Sequence, residues 1–240
     1  MELLWLALAL LQRSFLLLWT AGCILLALAV RLGSGDVRLP LAMARSLWAP
    51  PLFRIAGVRL EVSGLEHIDP GLAYLYAANH QSSLDTPALF VALPAPLRFV
   101  ARAGLRRIPF LGWYMAAMGM VFVDRSSRAR GAAATRRAVA ILAGGGSLLT
   151  FPEGTRTRDG RVGLFKGSAL VSAIEASVPV VPVAIRGAHQ VLPRGGFRAR
   201  PGTIHVKVCR PVATAGLGVG DRHTLAREVQ ARVAEAVGEG

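Results

Sequence analysis

The stretch Asn79-His80-Gln81-Ser82-Ser83-Leu84-Asp85 sets an imidazole five residues ahead of a carboxylate. Histidine has an ordinary pKa of about 6.5, so it can take up and return a proton within one reaction cycle. A carboxylate that holds one ring nitrogen leaves the other free as a general base and steadies the imidazolium that forms. On a continuous α-helix the two side chains would diverge by about 140°. They meet only if the chain turns between them. His80 follows an apolar strand candidate, and Thr86-Pro87 is expected to open a helix as its cap and first residue. A strand-to-helix corner supplies the turn. Taken alone, the same spacing also suits a polar loop histidine followed by a helix-capping acid.

Three further stretches carry charge or glycine at the end of a short apolar run. Phe151-Pro152-Glu153-Gly154-Thr155-Arg156-Thr157-Arg158-Asp159-Gly160 leaves a buried-looking strand and ends in a glycine turn. Ligands of α/β sheets gather outside the carboxyl ends of strands, and an arginine there can grip a phosphate through two parallel hydrogen bonds. Gly119-Met120-Val121-Phe122-Val123-Asp124-Arg125 ends in a cation that begins a cluster with Arg128, Arg130, Arg136 and Arg137. Most of that cluster reads as a solvated helix face. Val178-Pro179-Val180-Val181-Pro182-Val183 is a strand whose prolines restrict its hydrogen bonding. The chain has no GxSxG nucleophile elbow. It also lacks a CxxC or Cys/His cluster with metal-ligand spacing, so no metal is expected. Gly144-Gly145-Gly146 lies outside any phosphate-binding pattern and reads as a helix end with a turn. His67, His189, His205 and His223 read as structural or exposed.

The elements that must position these residues alternate from residue 58 onward. Strand candidates are 58–63, 72–78, 97–101, 120–123, 147–151, 180–186 and 203–208. Helical stretches lie at 87–93, 109–118, 128–143, 167–177 and 222–237. This interleaving predicts an α/β domain over 58–240, with a mixed, largely parallel sheet flanked by helices. Residues 1–57 read instead as a membrane-binding helical segment. The runs 3–11 and 15–30 are nearly all apolar and are interrupted by Gln12-Arg13-Ser14. They allow a single span, a two-helix hairpin in one leaflet, or a cleaved leader. Residues 40–57 read as one or two interfacial helices broken at Pro50-Pro51. Arginines flank the apolar runs on both sides, so charge does not choose an orientation.

Composition agrees with a bilayer surface. The chain is 53% hydrophobic, with a formal net charge of +14, and its only lysines are Lys166 and Lys207. Basic residues near an anionic membrane contribute about 1 kcal/mol each. Nucleic acid is not the expected partner, because aromatics make up 7% and lie mostly in the apolar runs. Cys23 and Cys209 do not form a disulfide pattern.

In order and spacing, NHQSSLD, GMVFVDR, FPEGTRT and VPVVPV together resemble the glycerolipid acyltransferases. The resemblance is specifically to those acting on 1-acylglycerol 3-phosphate, and it spans residues 79–183. It implies His80 and Asp85 as the catalytic pair. It also implies that Arg125, Glu153, Gly154, Thr155 and Arg156 contact the phosphate and glycerol of the acceptor. Lys166 falls where related enzymes often carry a basic residue. Arg102 stands where they often carry a lysine, and the two cations differ in donor geometry. The expected donor is acyl-CoA or acyl carrier protein with no cofactor, and the expected product is phosphatidic acid. The expected location is the cytoplasmic face of the cell membrane. Another lyso-lipid or glycerol 3-phosphate as acceptor is the nearest alternative. A non-catalytic cationic membrane-binding protein is the alternative of a different class.

Overall fold

The computed structural model describes residues 2–94, 96–124, 126–196 and 198–238 of the chain. Its apolar start is one helix, α1 (Glu2–Ser34), continuous through Gln12-Arg13-Ser14. The polar break in the apolar run does not interrupt the helix, because none of the three is glycine or proline. Each costs a helix at most about 0.7 kcal/mol. The 33 residues make a rod of ~50 Å at 1.5 Å per residue. The segment Leu10–Ser34 is long and apolar enough to cross a membrane. Several of its large side chains face outward, with Leu18 73% exposed.

The chain then returns along α1 through α2 (Arg38–Met43), a π-helical turn (Ala44–Trp48) and α3 (Ala49–Ala56). Pro50 and Pro51 do not break this segment. They sit in the first turn of α3, where a missing N–H has no helical partner to lose. Two tryptophans fasten the return to α1. Trp19 Nε1 donates to Trp48 O at 3.1 Å, and Trp48 Nε1 donates to Thr20 Oγ1 at 3.0 Å. Leu41, Ala49, Phe53 and Ala56 are buried in the same core as the sheet, so packing is continuous across residues 57–58.

The strands are β1 (Val58–Ser63), β2 (Leu75–Ala78), β3 (Arg98–Arg102), β4 (Val121–Val123), β5 (Leu148–Thr150), β6 (Val180–Arg186) and β7 (Gly202–Val208). They lie in the order β1-β7-β6-β2-β5-β3-β4. Every neighbouring pair is parallel except β6 and β7. The sheet is therefore mixed and largely parallel, as the alternation of elements implied. Successive strand residues point to opposite faces, and each face has its own core. Leu149, Val181 and Val183 join α3, α4 (Asp85–Ala92) and α5 (Leu111–Ala117) on one side. Leu148, Val180 and Ala184 join α6 (Arg128–Ala143), α7 (Val171–Glu175) and α9 (Arg222–Gly238) on the other. With both faces covered, β2 is buried at every residue. The helix expected over 167–177 is divided into a 3-10 turn, Gly167–Ala169, and α7.

Gly187 turns the chain out of β6 into α8 (Ala188–Val191), with φ of +86°. A Cβ there would collide with the carbonyl oxygen of Thr203 in β7. Gly187→Ala therefore combines backbone strain with a clash against main chain, worth about 2 kcal/mol or more. A clear drop in melting temperature in detergent micelles is the expected result, and an unchanged melting temperature would contradict this placement.

Candidate active site

β2 and β5 are parallel hydrogen-bonded neighbours, so their carboxyl ends open side by side. Asn79 ends the ladder at β2. Its Nδ2 donates to Ile185 O at 2.9 Å and its Oδ1 accepts from Ile185 N at 2.7 Å. The side-chain amide thus stands in for a strand partner on β6, and the chain leaves the sheet at a fixed point. His80 is the next residue. Its ring stacks on Phe151, which leaves β5 at the same level, with centroids 3.9 Å apart and planes 13° from parallel.

The corner between β2 and α4 closes on Asp85. His80 Nδ1 donates to Asp85 Oδ2 at 2.7 Å. The same oxygen accepts from Gln81 N at 2.6 Å and Ser82 N at 2.8 Å. Asp85 is fully buried; these donors replace the water that Oδ2 has lost, while Oδ1 has no hydrogen-bond partner among the described residues. With Nδ1–H committed, Nε2 is the ring nitrogen left to accept a proton. Asp85 also begins α4, one residue before the expected cap at Thr86. The cap expectation fails because Ser82 already turns the chain. Its Oγ accepts from Leu84 N, and its carbonyl accepts from Asp85 N.

The loop after β5 grips His80 from the other side. Glu153 Oε1 accepts from His80 N at 3.0 Å, and Thr157 N donates to His80 O at 2.8 Å. Gln81 extends the clasp. Its Nε2 donates to Gly160 O at 2.7 Å, and its Oε1 accepts from His189 N at 3.4 Å. Glu153 is 8% exposed. Burial pushes its carboxyl up to about 7, against the lowering effect of the N–H groups of His80 and Gly163, and the Asp85 carboxylate adds to the rise. Its carboxylate faces the backbone of the first motif.

A cavity of about 1050 Å3 opens in front of the imidazole. His80, Gly154, Thr155, Arg156 and Lys166 all line it, and so does Arg102 at the end of β3. Arg125 lies outside the described residues. Glu153 and Asp85 are set back from the cavity, behind His80. Away from the imidazole the walls turn apolar, with Ile24 and Ala27 of α1, Met43, Trp48, Phe90 and Phe99. Among the described residues, no group of three or more His, Cys, Asp or Glu could hold a metal ion. Sequence reasoning left Phe151, Gln81 and Asn79 without roles. Only Asn79 carried a usable signal, a polar amide closing an apolar run.

A family model for acyltransferases matches residues 59–186, a stretch that contains the histidine corner and the loop that clasps it. The chain belongs to the acyltransferase family. A 1-acyl-sn-glycerol-3-phosphate acyltransferase of Pseudomonas aeruginosa is 33% identical over 186 residues, covering 77% of this chain and 71% of that protein. A chloroplastic 1-acyl-sn-glycerol-3-phosphate acyltransferase of Arabidopsis thaliana is 31% identical over 75% of this acyltransferase. The chain spans about half the length of that relative and of the Brassica napus one. The crystal structure of the 1-acyl-sn-glycerophosphate acyltransferase PlsC from Thermotoga maritima superposes with a TM-score of 0.81 at 29% identity. The match covers 98% of this acyltransferase and 95% of that chain.

The raised carboxyl of Glu153 has a consequence for stability. Folded, it holds its proton more tightly than the unfolded chain does, with a pKa moved from 4.5 to about 7. On this group's account, stability therefore falls as pH rises through that window. Thermal unfolding across that range should show a steeper decline in the wild type than in Glu153→Gln, which keeps a carbonyl oxygen for His80 N. Parallel profiles for the two proteins would contradict the assignment.

Proposed function

We propose that this acyltransferase moves a fatty acyl group from a thioester donor to the free hydroxyl of 1-acylglycerol 3-phosphate, forming phosphatidic acid. The observation that carries the reading is a single one. An imidazole with one nitrogen tied to a buried carboxylate faces a long cavity whose walls are apolar beyond it and cationic around it. The names of the P. aeruginosa and T. maritima relatives point to the same acceptor.

In this reading the acceptor hydroxyl meets His80 Nε2 and gives up its proton as its oxygen attacks the thioester carbonyl. Asp85 keeps the ring in the Nδ1–H tautomer and stabilises the imidazolium. Collapse of the tetrahedral intermediate breaks the carbon–sulfur bond, and His80 returns the proton to the departing thiolate. Phe151 limits the ring to one plane, which favours attack by pre-paying the orientation cost. Arg156 and Lys166 lie on the cavity wall, suited to the acceptor phosphate, and the resemblance of its motif assigns Arg125 the same role. Gly154 and Thr155 shape the loop that brings Arg156 there. Glu153 acts through the backbone of His80. The donor is acyl-CoA or acyl carrier protein, and no cofactor takes part.

The apolar lobe beneath α1 suits an acyl chain, and α1 presents its other face to a bilayer. Ile108, Phe110 and Trp113, next to Arg106 and Arg107, add exposed apolar surface close to α1. The protein is thereby read as membrane-bound, with its catalytic face toward the cytoplasm and an anionic lipid surface beneath its arginines.

His80→Ala should abolish acyl transfer to lysophosphatidic acid while leaving the melting temperature close to wild type. Retention of substantial turnover would refute the role of the imidazole. Asp85→Asn should lower kcat by about 10²–10⁴-fold, because an amide oriented to accept from the two backbone N–H groups holds the imidazolium less well. Kinetics indistinguishable from wild type would remove the carboxylate from the mechanism.

A further inference from the structure

The cavity continues into a second lobe on the α6–α7 side of the sheet. Val121 and Thr150 lie at its floor, Gly131, Ala134 and Ala138 of α6 form one wall, and Ser172 of α7 faces them. Thr150 shares a strand face with Leu148, which packs with α6 and α7, whereas Phe151 and the His80 ring stacked on it point the other way. Two hydroxyl-bearing side chains border this lobe. Thr150 is 3% exposed and Ser172 6% exposed, and both line the cavity. The facing positions on α6 are small, so they leave space in front of those hydroxyls.

Given the acyl-transfer reading above, on which this inference rests, we propose that the second lobe binds the pantetheine arm of the acyl donor. An occupant that displaces water from these hydroxyls without pairing them forfeits their hydrogen bonds, so the fitting occupant carries hydrogen-bonding groups along its length. An alkyl chain would leave Thr150 and Ser172 unpaired. A phosphate dianion does not suit the lobe either, because the described residues named on its walls carry no cation and a buried charge needs a partner. Lys166 and Arg156 instead line the part of the cavity near the strand ends. A neutral, thread-like molecule with amides and a methyl-bearing segment meets every condition. Its amides pair with the hydroxyls, and its methyl groups lie against Ala134, Ala138 and Val121. The thioester at its end then reaches the strand ends, where His80 and Phe151 stand. The acyl chain continues into the apolar lobe on the opposite face.

The test compares one acyl chain carried on pantetheine with the same chain carried on N-acetylcysteamine, which lacks most of the arm. Full-length protein in mixed micelles, with lysophosphatidic acid as acceptor, is assayed as wild type, Ser172→Ala and Thr150→Val. Each substitution should raise KM for the pantetheine thioester by about tenfold. KM for the N-acetylcysteamine thioester, KM for lysophosphatidic acid, and kcat should stay near wild type. The reaction with the short thioester also reports that each variant is folded, and the two substitutions are independent of each other. An unchanged ratio of the two donor KM values in both variants would overturn the proposal. So would a rise confined to the acceptor KM, which would give the lobe to the glycerol phosphate instead. A wild type that transfers acyl groups from neither thioester, nor from acyl-CoA or acyl carrier protein, would refute the acyl-transfer reading itself, a result distinguishable from the other two.

Discussion

One oxygen atom organises the catalytic corner. Asp85 Oδ2 takes hydrogen bonds from the His80 ring and from two backbone N–H groups of the turn between them. A fully buried carboxylate is tolerable only when such donors replace its water. The carboxylate therefore needs the turn as much as the turn needs the carboxylate. The imidazole is fixed by the same arrangement that offsets part of the cost of burying its partner, whose Oδ1 has no hydrogen bond among the described residues. Phe151 on the ring face, with Glu153 and Thr157 on the main chain, removes the remaining freedom.

That arrangement requires two strands far apart in sequence to end at the same height. β2 and β5 are separated by about seventy residues, yet their register sets Ala77 beside Thr150. A slip of one residue would carry Phe151 to the other face of the sheet and leave the imidazole without its stacking partner. The two cores, one on each face, resist such a slip because β2 and β5 each contribute to both. The rigid sheet is thus the reference against which the loops are placed, and the loops carry the chemistry.

The helix α1 has two tasks that a soluble helix does not combine. Thr20, Cys23, Ile24 and Ala27 line the cavity, while Leu17, Leu18, Leu25 and Leu26 are exposed. An apolar surface of that size is costly in water and stable against hydrocarbon. The same helix that exposes apolar surface therefore walls the apolar end of the cavity. Trp19 and Trp48 hold it there through paired hydrogen bonds to the returning segment.

Local pattern was enough for much of this protein. Strand 58–63, strand 180–186 and helix 128–143 match the structure residue for residue, because alternation and helical spacing report burial directly. The order of the four motifs was likewise legible, and with it the chemistry of an imidazole near an acid. Sequence did not reveal that Gln12-Arg13-Ser14 continues a helix, or that Pro50-Pro51 starts one. In both places packing against distant residues outweighed a weak local signal. Nor did it reveal which way Glu153 points, since a carboxylate in a loop can face a substrate or a backbone N–H with equal local ease. The chain's own sequence thus determined which groups could react and which elements could exist. Tertiary structure alone decided that His80, Phe151 and Glu153 converge and that two lobes meet between them, because strand register and core packing act over distances that no local pattern spans.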